Sequence, residues 1–459
     1  MKFTVGLLKQ ILPNAKFVSL SDDKYFDYLN VSKISAFDSL KHDEVLYFCV
    51  YEDRFTEDGW YENNFDRALN VEKMMKKGIT FVVDLHTPLE LVDKVPYIFV
   101  PNIFDAISEI RSYVLQKTKA TVVGVTGSVG KTTTVAMLED VLNVQNKKCI
   151  RFYSKRLTPL TLSSWIVNFV ENDTDFIVLE YSMYRKEHIE MLKKIISPNI
   201  SIFLNLRPIH LGVLGINTIE DIAQSKSKLF TETGINISNG DEHGWNSVLP
   251  RIDYNFGISG EKSISTDLSS KEIIKLKYKN DEIEVIPYIK TKLFLYQLMV
   301  SVLIGKILGI DRDSMIESLN KFKPEENRIN WQEFFGSKVI FDGDITYAGR
   351  LDELGNNYYD ESRLIIHCLD FGIEDIHKQR DSFLQMMNRF KTVSILADEN
   401  NLKLLSQYNL NMGNIEVVSE TGIIELLKSE CFIVYHYGGF FRKYRDTSVI
   451  ETLLKCEPL

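Results

Sequence analysis

The sequence predicts an α/β chain of three domains: a central phosphate-loop domain with a mostly parallel sheet, a small α/β domain before it, and a Rossmann-like α/β domain after it. Three observations predict this. The 459 residues exceed what one hydrophobic core usually supports. Short apolar strands alternate with helix-period segments from end to end. At the centre, the stretch TVVGVTGSVGKTTT, residues 121–134, sets an apolar strand, a glycine-rich turn and a helix in succession.

In the first region, residues 1–118, Val45–Val50, Ile79–Val83 and Tyr97–Val100 read as strands and Phe65–Lys77 as a helix. Asp105–Leu115 reads as a helix that runs into the polar segment Gln116–Ala120, where the first boundary falls. The second region, 119–323, opens on the phosphate loop. Val122, Val123 and Val125 suit a buried parallel strand, and the glycines let backbone amides close on phosphate oxygens without a Cβ in the way. Val135, Leu138, Val141 and Leu142 recur at helical spacing, so an anion would sit on a helix N-terminus. Gly127, Ser128, Val129 and Gly130 form the turn, Lys131 is placed to reach the outer phosphates of a nucleoside triphosphate, Thr132 to ligate Mg²⁺, and Thr133 follows. The strict motif asks for a glycine where Val125 stands; Gly124 and Gly127 flank it instead.

Further along, Phe176–Glu180 is an apolar strand that ends in a carboxylate, the edge where open α/β sheets present ligands. A strand over Ile200–Asn205 leads into a loop with Pro208 and His210. Ile219–Phe230 reads as an amphipathic helix with Ile219, Ile222, Ala223 and Leu229 inward, and Lys226 and Lys228 taken alone read as solvated charges. In the third region, 324–459, strands are expected at Lys338–Phe341, Leu364–Cys368, Val393–Leu396 and Cys431–Tyr435.

The composition excludes several classes. A net charge of −9 with no basic stripe argues against a nucleic-acid surface. Five scattered cysteines without C-x-x-C spacing fit neither a disulfide framework nor a structural zinc site, and point to a reducing cytoplasm. Lys9 interrupts the apolar start, and the longest apolar run, Leu298–Ile310, contains Lys306 and is short for a bilayer span. No membrane partner is expected.

The order TGSVGKTTT, LEYS, LNLRPIHLGVLG, IAQSKSKLF resembles the Mur ligase family, ATP-dependent amide ligases of peptidoglycan-type synthesis. It is most similar to the branch that joins D-alanyl-D-alanine to a UDP-linked muramoyl tripeptide, with its TGSNGKTTT, its glutamate-bearing strand, its N-I-G-x-A-H-L and its I-A-x-A-K-x-E. The resemblance implies ATP and Mg²⁺ as cofactors. By it, residues 127–133 hold ATP together with Arg328 and Asp344, with Asp342 the rival for the last role. Thr132, Glu180, His210 and Lys226 hold magnesium, and Lys131, His210 and Lys226 are catalytic. Lys226 occupies the place of a carbamylated lysine, which would turn an ammonium that repels Mg²⁺ into an oxygen donor. Thr158 and Thr161, and Asp38 and Ser39, fall where the family contacts substrate. The partners implied are a small carboxylate donor, possibly nucleotide-linked, and an amine acceptor; the oligomeric state is not indicated.

The chain departs from this pattern at named places. Leu40 replaces an arginine that grips the diphosphate of the UDP donor, Lys292-Leu-Phe294 and Gln297 replace a histidine–asparagine pair, and Ala348, Gly349 and His436-Tyr-Gly-Gly439 replace amine-side residues. Two readings compete with a ligase: a non-catalytic ATP-binding module that acts through a partner, and a phosphate-loop kinase or ATPase that needs no amine.

Overall fold

The computed structural model describes residues 2–31, 42–50, 79–87, 95–152, 158–183, 185–209, 211–212, 215–258, 260–266, 273–324, 330–334, 336–343, 346, 348–355, 362–371, 376–410, 415–429 and 431–437. The chain divides into two compact units. The first comprises residues 1–123, 147–179 and 190–198, and the second 124–146, 180–189 and 199–459.

The first unit holds a five-stranded sheet in the order Lys16–Val18, Tyr97–Phe99, Thr80–Val83, Val45–Phe48, Tyr28–Asn30. All pairs are parallel except the first. The strands Val45–Phe48 and Thr80–Val83 are buried at every residue, which is why they read as continuous apolar runs. Asn102 caps the helix Ile103–Lys117 by accepting from the amides of Phe104 and Asp105. The edge strand Tyr28–Asn30 is closed by Asn168, whose amide side chain donates to Leu29 O at 2.8 Å and accepts from Leu29 N at 2.9 Å. Cys149–Phe152 and Phe176–Leu179 pair in parallel in the same unit.

In the second unit the strand Thr121–Thr126, which enters it at Gly124, is followed across the sheet by Ile200–Phe203, Ile235–Asn239, Tyr254–Gly257, Ile264–Thr266, Ile274–Tyr278 and Asp281–Val285. From Ile200 to Thr266 the pairings are parallel, and the last two strands turn antiparallel. Two helices, Lys131–Leu142 and Lys292–Ile307, pack against each other. Gly305 leaves room for Met315: a Cβ there would lie 2.5 Å from Met315 Sδ, so the methionine side chain would have to shift. A third sheet runs Asn330–Phe334, Ser337–Asp342, Phe432–His436, Ser362–Ile366, Val393–Leu396, Ile415–Val418, antiparallel at the first pair and parallel beyond.

The chain is thus α/β with mostly parallel sheets, as the strand–helix alternation predicts. Strand and helix ends differ from the sequence reading by a few residues. The strand expected over Ile200–Asn205 stops at Phe203, and the helix expected over Ile219–Phe230 stops at Ser227. Ile219 is 42% exposed rather than inward, because it is the first helical residue after the cap Thr218. The helix expected at Phe65–Lys77 lies outside the described residues. No helix among the described residues is long and apolar enough to cross a membrane.

One buried network in the third sheet yields a pH prediction. Asp342, fully buried, accepts from Arg350 Nε and Nη2 at 2.8 and 2.6 Å and from His436 Nδ1 at 2.8 Å. Burial raises the carboxyl's pKa, but the Arg350 cation and the His436 hydrogen bond overcome this and hold it at about 2. A carboxyl whose folded value is depressed contributes stability above its unfolded value, near 3.9, and loses it as pH falls through its folded value. Asp342 should therefore contribute about 2 kcal/mol at neutral pH, lost between about pH 4 and pH 2. Asp342→Asn should cost about 3 kcal/mol at pH 7, because buried Arg350 loses the Asp342 charge, and should flatten the acid limb. Urea unfolding followed across pH checks both effects.

Candidate functional site

The phosphate loop takes its shape from two glycines at positive φ, Gly127 at +152° and Gly130 at +87°. A Cβ on Gly127 would sit 2.8 Å from Leu204 Cβ, and one on Gly130 would sit 2.8 Å from Gln297 Nε2 and 2.9 Å from Leu293 Cδ1. Gly130 is also the N-cap of the helix Lys131–Leu142 and gives it no side-chain cap, so the first-turn amides face the loop, as an anion site requires. Gly130→Ala should cost about 1–3 kcal/mol, from the left-handed backbone and the collision with the helix Lys292–Ile307. Urea titration of the variant is the check.

Around this loop the structure gathers most of the expected residues that it describes. Thr132 Oγ1 donates to Glu180 Oε2 at 2.7 Å, and Ser182 Oγ donates to Glu180 Oε1 at 2.6 Å. Lys131 Nζ donates to Ser128 O at 3.1 Å. Lys226 is 2% exposed, and its Nζ donates to Gly127 O at 2.8 Å, which corrects the solvated-charge reading of this lysine. Its position explains the burial: Lys226 lies one turn beyond Ile222 and Ala223, on the inward face of its helix, while Lys228 is exposed at the helix end. Burial first, and then the nearby Lys131 cation, push the Lys226 ammonium well below the usual lysine range, with Glu180 opposing.

The helix that carries Lys226 is pinned at its start by a reciprocal cap. Thr218 Oγ1 accepts from Asp221 N, and Asp221 accepts from Thr218 N. Lys186 pairs with Asp221 at 2.7 Å, and this hydrogen bond, with those from the cap amides, holds the Asp221 carboxyl at about 2.

Two residues not singled out as site residues by the sequence lock the loop. Asn205 Oδ1 accepts from Ser128 N and Val129 N at 3.2 and 2.8 Å, and its Nδ2 donates to Val129 O at 2.9 Å. Gln297 Nε2 donates to Gly130 O at 3.1 Å. The available signal for Gln297 was a lone amide in a helix that is otherwise apolar from Leu293 to Leu303, apart from Tyr296 and Ser301.

Other expected positions fall elsewhere. Thr158 and Thr161 are in the first unit, where they form the capping box of the helix Pro159–Phe169: Thr158 N donates to Thr161 Oγ1 at 2.7 Å and Thr161 N to Thr158 Oγ1 at 3.2 Å. Asp38, Ser39, Leu40, His210, Arg328 and Asp344 lie outside the described residues. Asp342, the rival to Asp344, has both oxygens committed to Arg350 and His436, which disfavours it as a nucleotide ligand.

The oxygen donors fit magnesium. The Thr132 hydroxyl and the Glu180 carboxylate are hard donors brought together at the start of the helix, and the bare Lys226 amine is not one until modified. No group of three or more His, Cys, Asp or Glu placed to hold a metal occurs among the described residues. The donor set is mixed, and His210 is not among the residues described.

A family model for the Mur ligase middle domain matches residues 125–305. The UDP-N-acetylmuramoyl-tripeptide–D-alanyl-D-alanine ligase of Rickettsia prowazekii is 26% identical over 243 residues, which is 50% of this chain and 51% of that protein. The chain therefore spans about half the length of this curated relative. Among solved structures, MurF from Acinetobacter baumannii superposes with a TM-score of 0.75 at 13% identity, covering 99% of each chain. The MurF ligase of Thermotoga maritima in complex with ADP gives 0.70 at 19% identity, over 90% of this chain and 95% of that one. The chain is Mur-ligase-like in its central domain by sequence and across its length by fold.

Proposed function

We propose that this chain, with its Mur ligase middle domain, is an ATP-dependent, ADP-forming carboxylate–amine ligase. In this reading a substrate carboxylate attacks the γ-phosphorus of ATP and ADP leaves. The resulting acyl phosphate is attacked by an amine, forming the amide and releasing phosphate. One observation carries the reading: buried Lys226 reaches the phosphate loop beside the Thr132–Glu180 pair. A module that only held ATP has no physical need for a buried lysine and a carboxylate gathered at the phosphates.

Each residue of the chain then has a task. The amides from Gly127 to Thr133 and the Lys131 ammonium cradle the phosphates and offset the charge that migrates during transfer. Asn205 and Gln297 hold the loop in shape before ATP arrives, so that little reorganisation accompanies the reaction. Thr132, Glu180, carbamylated Lys226 and His210 would hold Mg²⁺, which when bound supplies Lewis-acid neutralisation of phosphate charge. We further propose three working domains, 1–118, 119–323 and 324–459, with the first taking the donor and the third the amine, in a cytoplasmic setting.

The donor is a carboxylate, possibly nucleotide-linked. A leucine at position 40 cannot grip a diphosphate as a guanidinium does, so a muramoyl tripeptide bound in the usual manner is not the expected donor. The test is a screen of phosphate release from ATP against amino acids, dipeptides and peptidyl nucleotide sugars. Release that depends on both a carboxylate and an amine is expected. Release with no dependence on an amine would instead establish an ATPase or kinase.

A further inference from the structure

Arg207 lies two residues beyond Asn205, on the same turn that clasps the phosphate loop. Its backbone N donates to Ser128 Oγ at 2.9 Å, and that hydroxyl donates to Arg207 O at 3.1 Å. The side chain leads away from the loop. Its Nε donates to Glu353 Oε1 at 2.5 Å, with Nη2 on the same carboxylate, and its Nη1 donates to Glu242 Oε2 at 2.5 Å and to Leu206 O at 2.6 Å.

Glu353 is 2% exposed and belongs to the helix Ala348–Gly355, which follows the strand Ser337–Asp342 of the third sheet. One helical turn before Glu353, on the same face, Gly349 allows the arginine stem to approach: a Cβ there would lie 2.6 Å from Arg207 Cβ. Arg350 of this helix pairs with Asp342 in its own sheet. Among the described residues the helix is therefore held by three arginine–carboxylate pairs: Arg350 with Asp342 in its own sheet, Asp352 with Arg389 at 2.6 Å, and Glu353 with Arg207 on the turn that holds Ser128.

We propose that Arg207 is a positioning residue that couples the phosphate loop at Ser128 to the placement of the helix Ala348–Gly355 and the sheet behind it. A guanidinium that meets one carboxylate through two of its nitrogens is restrained in orientation as well as distance, and a largely buried pair is costly to break from one side. Removing the Glu353 charge weakens the helix's tie to this turn and leaves Arg207 with Glu242 as its carboxylate partner, so the turn bearing Ser128 loosens with it. The consequence for catalysis rests on the ligase reading; the coupling itself does not.

The test is hydrogen exchange on the full chain, without nucleotide and with ADP, for Glu353→Gln, Arg207→Lys and Arg207→Gln/Glu353→Gln. In Glu353→Gln, amide exchange in residues 348–355 is expected to rise about tenfold, with a smaller rise in 124–134 and none in the strand Val393–Leu396. The double variant should add little to Glu353→Gln. Arg207→Lys keeps charge without the fork and should give a partial effect; it also serves if Glu353→Gln unfolds. In ATP turnover, kcat should fall while KM for ATP stays within about twofold. Unchanged exchange in 348–355, or a change there with none in 124–134, overturns the coupling. Because the exchange is also read without nucleotide, failure to bind ATP would overturn the ligase reading and leave the coupling standing.

Discussion

Lys131→Ala should abolish ATP turnover, by about a thousandfold or more, while the variant folds as the parent does. The side chain is half-buried and reaches back to Ser128 O over a local hydrogen bond, so its removal costs little packing. Its removal should change stability by no more than about 1 kcal/mol. Its charge is another matter. A transferring phosphoryl group carries negative charge over several oxygens, and a preorganised cation at the helix start is worth far more there than in water. Circular dichroism and urea unfolding establish the fold, and phosphate release with the active pair from the substrate screen measures the loss. Normal turnover in a well-folded variant would remove Lys131 from the mechanism.

What was legible in the sequence was what is local. The phosphate loop announces itself because strand, glycines and helix are contiguous, and Glu180 because an apolar run ends on it. Four of the third sheet's strands were legible because parallel strands buried on both faces read as apolar runs, as Val393–Leu396 does, whereas the two edge strands Asn330–Phe334 and Ile415–Val418 were not expected. The clasp around the loop was not legible, since it is built from residues far away in the chain: Asn205 reaches Val129 across 76 positions, Gln297 reaches Gly130 across 167, and Arg207 reaches Glu353 across 146. No periodicity reports such pairings. Lys226 stands between the two cases. Its charge read as solvated, and only the family resemblance placed it at the site; in the structure it lies one turn beyond Ile222 and Ala223 on the inward face, where the Gly127 carbonyl accepts from its amine.

That burial makes Lys226 the most exacting prediction. Carbamate formation takes a neutral amine and CO₂, forms an N–C bond and releases a proton, leaving a carboxylate on the side chain. An ammonium cannot react. Burial and the Lys131 charge favour the neutral amine, so the site is prepared for modification even before a metal attracts the product anion. Lys226 should therefore bear a carbamate, visible as a ¹³C signal after equilibration with labelled bicarbonate, and activity should rise with dissolved CO₂ and with pH as more amine is neutral. Lys226→Ala should lose activity by about a hundredfold or more, partly restored by acetate or formate entering the space left behind. Lys228→Ala is the control: it is exposed two residues on, about 200° around the helix, and should leave both turnover and fold unchanged. An alanine variant at 226 that turns over normally, or labelled protein without a carbamate signal at full activity, would take the modified lysine out of the reaction. The Thr132–Glu180 pair and Lys131 would then carry the phosphate chemistry alone.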